Sequence, residues 1–187
     1  MSLSEVVDGT APAAAGPADL LARAQVGERE AFTALVERYH ADLVRVAFAI
    51  TGDLDTACDA AQLAWVTAWQ RLPTIRQPDR LGAWLIAIAA NQARQSLRAQ
   101  RRRRVREIAV VDRGPADGHD TMVSTDRFDL QAALTRLGAD DRALLAMRYL
   151  AGLTADEIGV ATGMTGSGVR SRLSRLVARL REELNDE

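Results

Sequence analysis

The chain contains no lysine: all 24 of its basic residues are arginine. It has one cysteine, Cys58, which excludes an intramolecular disulfide. Its two histidines, His40 and His119, cannot build a metal cluster with that cysteine at any recognised spacing. Aromatic residues make up only 4% of the chain, while alanine and leucine abound, a balance that favours helices over sheet. No apolar run approaches the roughly 18 residues needed to cross a bilayer. The opening stretch, MSLSEVVDGTAPAAAGPAD, lacks the basic region and continuous apolar core of a secretory signal. There is no Ser/His/Asp set and no phosphate-binding glycine loop. The absences together describe a cytoplasmic chain with no metal site, no cofactor and no catalytic constellation.

What is present is charge, arranged in blocks. The formal net charge is only −1. Yet residues 71–106 carry ten arginines and one acid, and residues 164–181 carry five arginines and no acid. The remainder is acidic; residues 1–70 alone hold ten acids against four arginines. Two basic patches on an otherwise acidic chain suggest a polyanion held at two places.

The segment DRGPADGHDTMVST, residues 112–125, has no periodic apolar stripe and reads as a flexible linker. It divides the chain into two small helical domains, residues 17–111 and 126–187, behind a mobile Ala/Pro/Gly tail at residues 1–16. The fold expected is all-α. In the first domain Phe32, Leu35, Val36, Tyr39, Leu43, Val46, Ala47 and Ile50 recur at helical spacing. Thr51-Gly52 ends that helix and Asp53 can cap the next. The second helix carries Ala57, Ala61, Ala64, Trp65 and Ala68. After a turn-rich break, Pro78 suits the start of a long third helix, with Leu81, Trp84, Leu85, Ile88 and Ala89 as its buried face. His40 falls on a helix surface and His119 in the linker, and Cys58 suits a small, buried or half-buried position.

In the second domain Leu130, Ala133, Leu134 and Leu137 form a helix that Gly138 stops. Asp140 is placed to cap the next, whose apolar residues are Leu144, Leu145, Met147 and Leu150. Thr154-Ala155-Asp156-Glu157 is a capping box. The short helix it opens ends at Gly163, and Thr165 caps a longer one. This is the pattern of a helix-turn-helix. On the last helix Val169, Leu173, Leu176, Leu180 and Leu184 form one apolar stripe, while Arg172, Arg175 and Arg179 fall on another face. A guanidinium fork can hold phosphate, or the two acceptors of a guanine edge in the major groove. Solvated helix faces usually mix charges of both signs; this one does not.

These stretches resemble a known family. LTADEIGVATGMTGSGVRSRLSRLVARLREEL is similar to region 4 of bacterial sigma factors of the ECF (extracytoplasmic function) group. AFTALVERYHADLVRVAFAITGD, DTACDAAQLAWVTAWQRL and RLGAWLIAIAANQARQSLRAQRRRR resemble region 2 of the same group, in the same order. The resemblance implies a dissociable subunit that binds core RNA polymerase and recognises the −10 and −35 elements of promoter DNA. It places Asp59, Gln62 and Trp65 at the polymerase docking surface, although by residue type Trp65 and Trp69 suit the core. It places Arg76, Asp79, Arg80, Asn91, Arg94 and Arg98 at the −10 element, with Arg101, Arg102 and the arginines after them on duplex backbone. It places Thr165, Ser167, Arg170, Ser171, Arg172 and Arg175 at the −35 element. Leu63 stands where the family typically has an acidic residue, and Gly166 where it has an aliphatic one. A separate anti-sigma protein is a further partner the resemblance suggests. The other reading of the same residues is a stand-alone helix-turn-helix regulator, which would be a dimer on a palindromic site.

Overall fold

The computed structural model describes the backbone of residues 16–108, 133–134 and 136–185, and the side chains of these residues except 104–108 and 185. The expected linker, and all of the expected tail but Gly16, lie outside the described residues, as do His119 and Leu130. All regular structure among the described residues is helical.

The first lobe contains α1 (Pro17–Gln25), α2 (Arg29–Thr51), α3 (Leu54–Arg71) and α4 (Leu81–Ile108). Its boundaries follow local chemistry. Gly52 closes α2 at φ 73°, and its N–H bonds to the carbonyl of Phe48. The next residue, Asp53, opens α3 by accepting from the Thr56 N–H at 2.7 Å. The break between α3 and α4 is two 3-10 turns, Leu72–Thr74 and Pro78–Arg80. Gln25 fastens this break to α1, donating from Nε2 to the carbonyls of Leu72 and Ile75 at 3.0 and 2.8 Å.

Helices α2, α3 and α4 pack on one another. Small residues set how close they come. The inner face of α3 is Ala57, Ala60, Ala61, Ala64 and Ala68 plus Trp65; α4 contributes Ala89, Ala90 and Ala93 beside Leu81, Leu85 and Ile86. Leu35, Leu43, Val46 and Ile50 of α2 supply the larger buried side chains, each worth about 1.5–3 kcal/mol of burial. The buried face of α4 differs from expectation: Ile86, Ala90 and Ala93 are inside, while Trp84 and Ile88 are half-buried. Those two stand instead at a cleft facing the second lobe. Trp69 is also a correction. It was expected in the core but is 42% exposed, with Phe32 stacked edge-on to it at 4.7 Å.

The second lobe holds α5 (Ala139–Leu145), α6 (Ala155–Thr162) and α7 (Gly166–Asn185). Helix α5 widens into a π turn at Ala146–Leu150, where the Ala151 N–H reaches the carbonyl of Ala146. Leu150, expected in the apolar stripe, is exposed after this widening, as is Leu184 near the end of α7. Asp140 does not cap α5. Gly138 is the N-cap, with no side-chain cap bond, and Asp140 sits in the first turn with its carboxylate turned to the first lobe.

The capping box of α6 forms as its spacing predicts. Thr154 Oγ1 accepts from the Glu157 N–H at 3.3 Å, and Glu157 accepts from the Thr154 N–H at 2.8 Å. Those bonds hold the Glu157 carboxyl below its ordinary range, with a smaller pull from Arg80 across the cleft. At the other end the N–H groups of Gly163 and Met164 both reach the carbonyl of Gly159, at 3.0 Å for Met164. Gly163 adopts φ 73° to make this turn. Gly159 itself is where α6 meets the turn: a Cβ there would lie 2.6 Å from the carbonyl oxygen of Met164.

That contact is with backbone, so it has nowhere to go. At Gly166 a Cβ would meet the Asp156 carboxylate, at 1.7 Å, but that side chain can swing into solvent. Gly159→Ala is therefore expected to lower stability by about 1–3 kcal/mol through overpacking. Gly166→Ala should cost far less. Urea unfolding of the two variants beside the parent chain checks the order.

Candidate nucleic-acid interface

Helix α7 is held by Val169, Leu173, Leu176 and Leu180, all buried. Thr165 caps it, Oγ1 accepting from the Gly168 N–H at 3.1 Å, and the Ser167 hydroxyl lies 3.2 Å from the same oxygen. The capping residues thus stand at the positive end of the helix, where an anion is favoured. Arg170, Ser171 and Arg175 are exposed along the outer face. Arg170 is 3.7 Å from Asp156, also exposed, a pair of little energetic weight. Arg175 has no carboxylate partner among the described residues. Arg172 is half-buried and bound by Asp141 of α5, through Nε at 2.8 Å and Nη2 at 2.7 Å. Asp141 fixes the direction of that guanidinium; a free fork could point anywhere. Arg179 pairs with Glu183 one turn on, at 2.8 Å.

The second basic surface runs along α4 and the break before it. Arg76, Asp79 and Arg80 are exposed at the break, and Arg101, Arg102 and Arg103 are exposed near the far end of α4. Between them Asn91 and Arg94 are half-buried and linked, Asn91 accepting from Arg94 Nη2 at 3.2 Å. Arg94 and Arg98 both bind Asp140 of the second lobe: Arg94 Nη1 at 3.2 Å and Arg98 Nη2 at 3.1 Å. With Arg98 and Asp140 about half exposed, such pairs contribute up to about 1 kcal/mol each.

On α3, Asp59 and Gln62 are exposed on its outer face. Trp65 is not with them. It is 8% exposed, its ring edge-on to Phe32 at 5.6 Å, and its Nε1 donates to His40 Nδ1 at 3.2 Å. Trp65 is nearly buried and braces α3 against α2. Besides Leu54 in its first turn, the exposed large apolar residues of this helix are instead Leu63 (50%), Val66 (56%) and Trp69. With Asp59 and Gln62 they follow helical spacing on one face. Their periodicity was visible, but their exposure was not, because it depends on which face α2 and α4 cover.

Comparison with known proteins decides the family. Sigma-70 region 2 matches residues 35–103 and Sigma-70 region 4 matches residues 127–180. The chain is 30% identical over 168 residues to the ECF RNA polymerase sigma factor SigL of Mycobacterium tuberculosis, covering 87% of this chain and 94% of SigL. The chain belongs to the ECF sigma factors. It is also 31% identical to a probable RNA polymerase sigma factor, RfaY, of Xanthomonas campestris, across 88% of this chain but 43% of that protein. The chain thus spans less than half the length of that relative. Among solved structures it resembles the sigma factor RpoE of Bartonella quintana, crystallised with the anti-sigma factor NepR: TM-score 0.66, 26% identity, 82% of this chain and 96% of that one. Members of this family are polymerase subunits that direct promoter-specific initiation.

In this sigma factor, then, the region 2 match covers α3 and most of α4, with both the apolar strip and the arginines up to Arg103. The region 4 match covers the helix-turn-helix. No helix among the described residues is long and apolar enough to cross a membrane.

The two tryptophans of α3 should separate cleanly. Trp65→Ala is expected to destabilise the sigma factor by about 3–5 kcal/mol, as a buried aromatic does. Trp69→Ala should shift stability by a small part of that. Denaturation curves for both variants test the assignment of one to support and the other to surface.

Proposed function

We propose that this chain is a dissociable sigma subunit that works in the cytoplasm and has no catalytic chemistry of its own. The observation that carries this reading is the placing of three surfaces on one molecule. An exposed apolar strip lies on α3, an arginine-bearing face on α4, and a second on α7. The outer face of α3, with Asp59, Gln62, Leu63, Val66 and Trp69, docks on core polymerase. Large apolar side chains left in water on one helix face are the usual mark of an interface.

The α4 face and the break before it take the −10 element. Opening duplex DNA costs a few kcal/mol per unstacked base. Arg76, Asp79, Arg80 and Asn91 receive the displaced strand, with Arg94 and Arg98 beside it. Arg101 and Arg102 hold duplex backbone, where charge neutralisation gives binding its salt dependence. The α7 face takes the −35 element. Thr165, Ser167 and the helix terminus hold phosphate, and Arg170, Ser171, Arg172 and Arg175 reach the groove. Neither face needs high affinity when polymerase presents both to one promoter. The stand-alone regulator reading leaves the α3 strip and the region 2 match without a role. An anti-sigma protein that covers these faces is a further partner, as NepR is for the Bartonella sigma factor.

Leu63→Asp places a charge in the middle of the strip and is expected to abolish the stoichiometric complex with core polymerase seen by sedimentation, with the helical content of the free chain retained. Full complex formation by this variant would remove α3 from the docking surface. Arg175→Ala should weaken −35 recognition by the holoenzyme by about 1–3 kcal/mol if a bidentate base contact is lost. Promoter-binding titrations with matched and scrambled −35 sequences read that difference.

A further inference from the structure

A cleft of about 580 Å³ lies between the lobes. Arg80, Trp84, Ile88 and Asn91 line it from the first lobe, Glu157 and Val160 from the second. Two of the residues assigned above to the −10 strand, Arg80 and Asn91, therefore share this cleft with α6. At the rim, Asp140 stands in the first turn of α5 and reaches across to α4. Its Oδ1 accepts from Arg94 Nη1 at 3.2 Å, and both its oxygens accept from Arg98 Nη2 at 3.1 Å. Arg94 retains only 15% side-chain exposure in this arrangement. A carboxylate held by two guanidinium groups is the chemistry a DNA phosphate would offer the same two side chains. Both cannot be satisfied together.

Around Asp140 the other charges divide. Arg80 attracts Glu157 across the cleft, while Arg101 repels Arg142, on the same helix as Asp140. Helix α5 also packs on α2 and α4, and Arg45 Nη2 approaches the carbonyl of Leu150 at 3.4 Å. No charged residue is buried anywhere among the described residues. The closure is thus built from partly hydrated ion pairs and a limited apolar contact, the kind of junction that opens reversibly.

We infer that Asp140 is an intramolecular latch: in the free chain it occupies Arg94 and Arg98, keeps α6 over the −10 surface, and so excludes DNA until the lobes separate. The masking half of this inference rests on the proposed function; the latch itself does not. Polymerase, by taking the two lobes to separate sites, would replace Asp140 with promoter phosphate.

The test uses the full chain without polymerase. Small-angle X-ray scattering is expected to give a compact wild type and a larger radius of gyration for Asp140→Asn. Affinity for a single-stranded oligonucleotide of mixed sequence should rise about fivefold or more in that variant, the range of ordinary site-to-site coupling. The charge exchange Asp140→Arg with Arg98→Asp should return the chain to compactness, which separates a latch from a folding defect; circular dichroism checks that helices persist. Should Asp140→Asn not fold, Arg98→Ala removes the same bonds from the α4 side and must also expand the chain. An extended wild type, or equal dimensions for parent and variants, would overturn the latch. Expansion with no gain in affinity would overturn the masking. A chain that behaves as expected here, yet forms no complex with core polymerase, would refute the proposed function and leave the latch standing.

Discussion

The first lobe stands on a layer of alanine. Five alanines of α3 and three of α4 are almost wholly inaccessible, and they let the helices approach without large side chains between them. Only one bulky residue of α3, Trp65, goes inside, and it is pinned by Phe32 and His40. Beyond Leu54 in its first turn, the remaining large apolar residues of the helix, Leu63, Val66 and Trp69, stand in water on its other side. Close packing within thus leaves α3 with an apolar face that a partner can cover.

Charge is organised on the same principle of separation. The arginines of α4 and α7 lie on helices whose own apolar stripes face the core, so most of these cations stand at the surface. Apart from Glu183, which pairs with Arg179 near the end of α7, the acids that meet them come from the starts of helices in the second lobe. Asp140 and Asp141 are neighbours in the first turn of α5, yet one binds the first lobe's arginines and the other binds Arg172 of α7. Asp156 and Glu157 open α6 and lie near Arg170 and Arg80. Acids in a first turn are favoured by the helix dipole. Here the same residues set where cations point. A near-neutral total conceals this arrangement.

Much of the fold was legible because it is local. Gly52 followed by Asp53, the Thr154–Glu157 box, Gly163 and Thr165 each act within four residues, and each formed as spacing implies. The apolar stripes of α2 and α7 were legible for the same reason. What escaped depends on residues far apart in sequence. The rotation of α4 that leaves Trp84 and Ile88 at the cleft, and the exposure of Trp69, follow from which helix covers which face. Asp140 looked like a cap because its neighbourhood suits one; its bonding partners lie 42 and 46 residues away. Gly159 carried no signal in a helix of ordinary residues, since what requires glycine is the Met164 carbonyl beyond the turn. Of the expected site, the exposed arginines and Asp59 and Gln62 are placed as displayed groups, whereas Trp65 is packed inward against Phe32 and His40.

The central claim is that one chain carries a polymerase-binding face and two promoter-binding faces that act together. Transcription in a purified system measures this most directly: core polymerase, this chain, and a library of promoter fragments, with the 5′ ends of transcripts mapped. The account predicts starts that require the chain and share two sequence elements at fixed spacing, one lost when region 4 contacts are removed. Initiation that is independent of the chain, or start sites with no shared upstream elements, would contradict it.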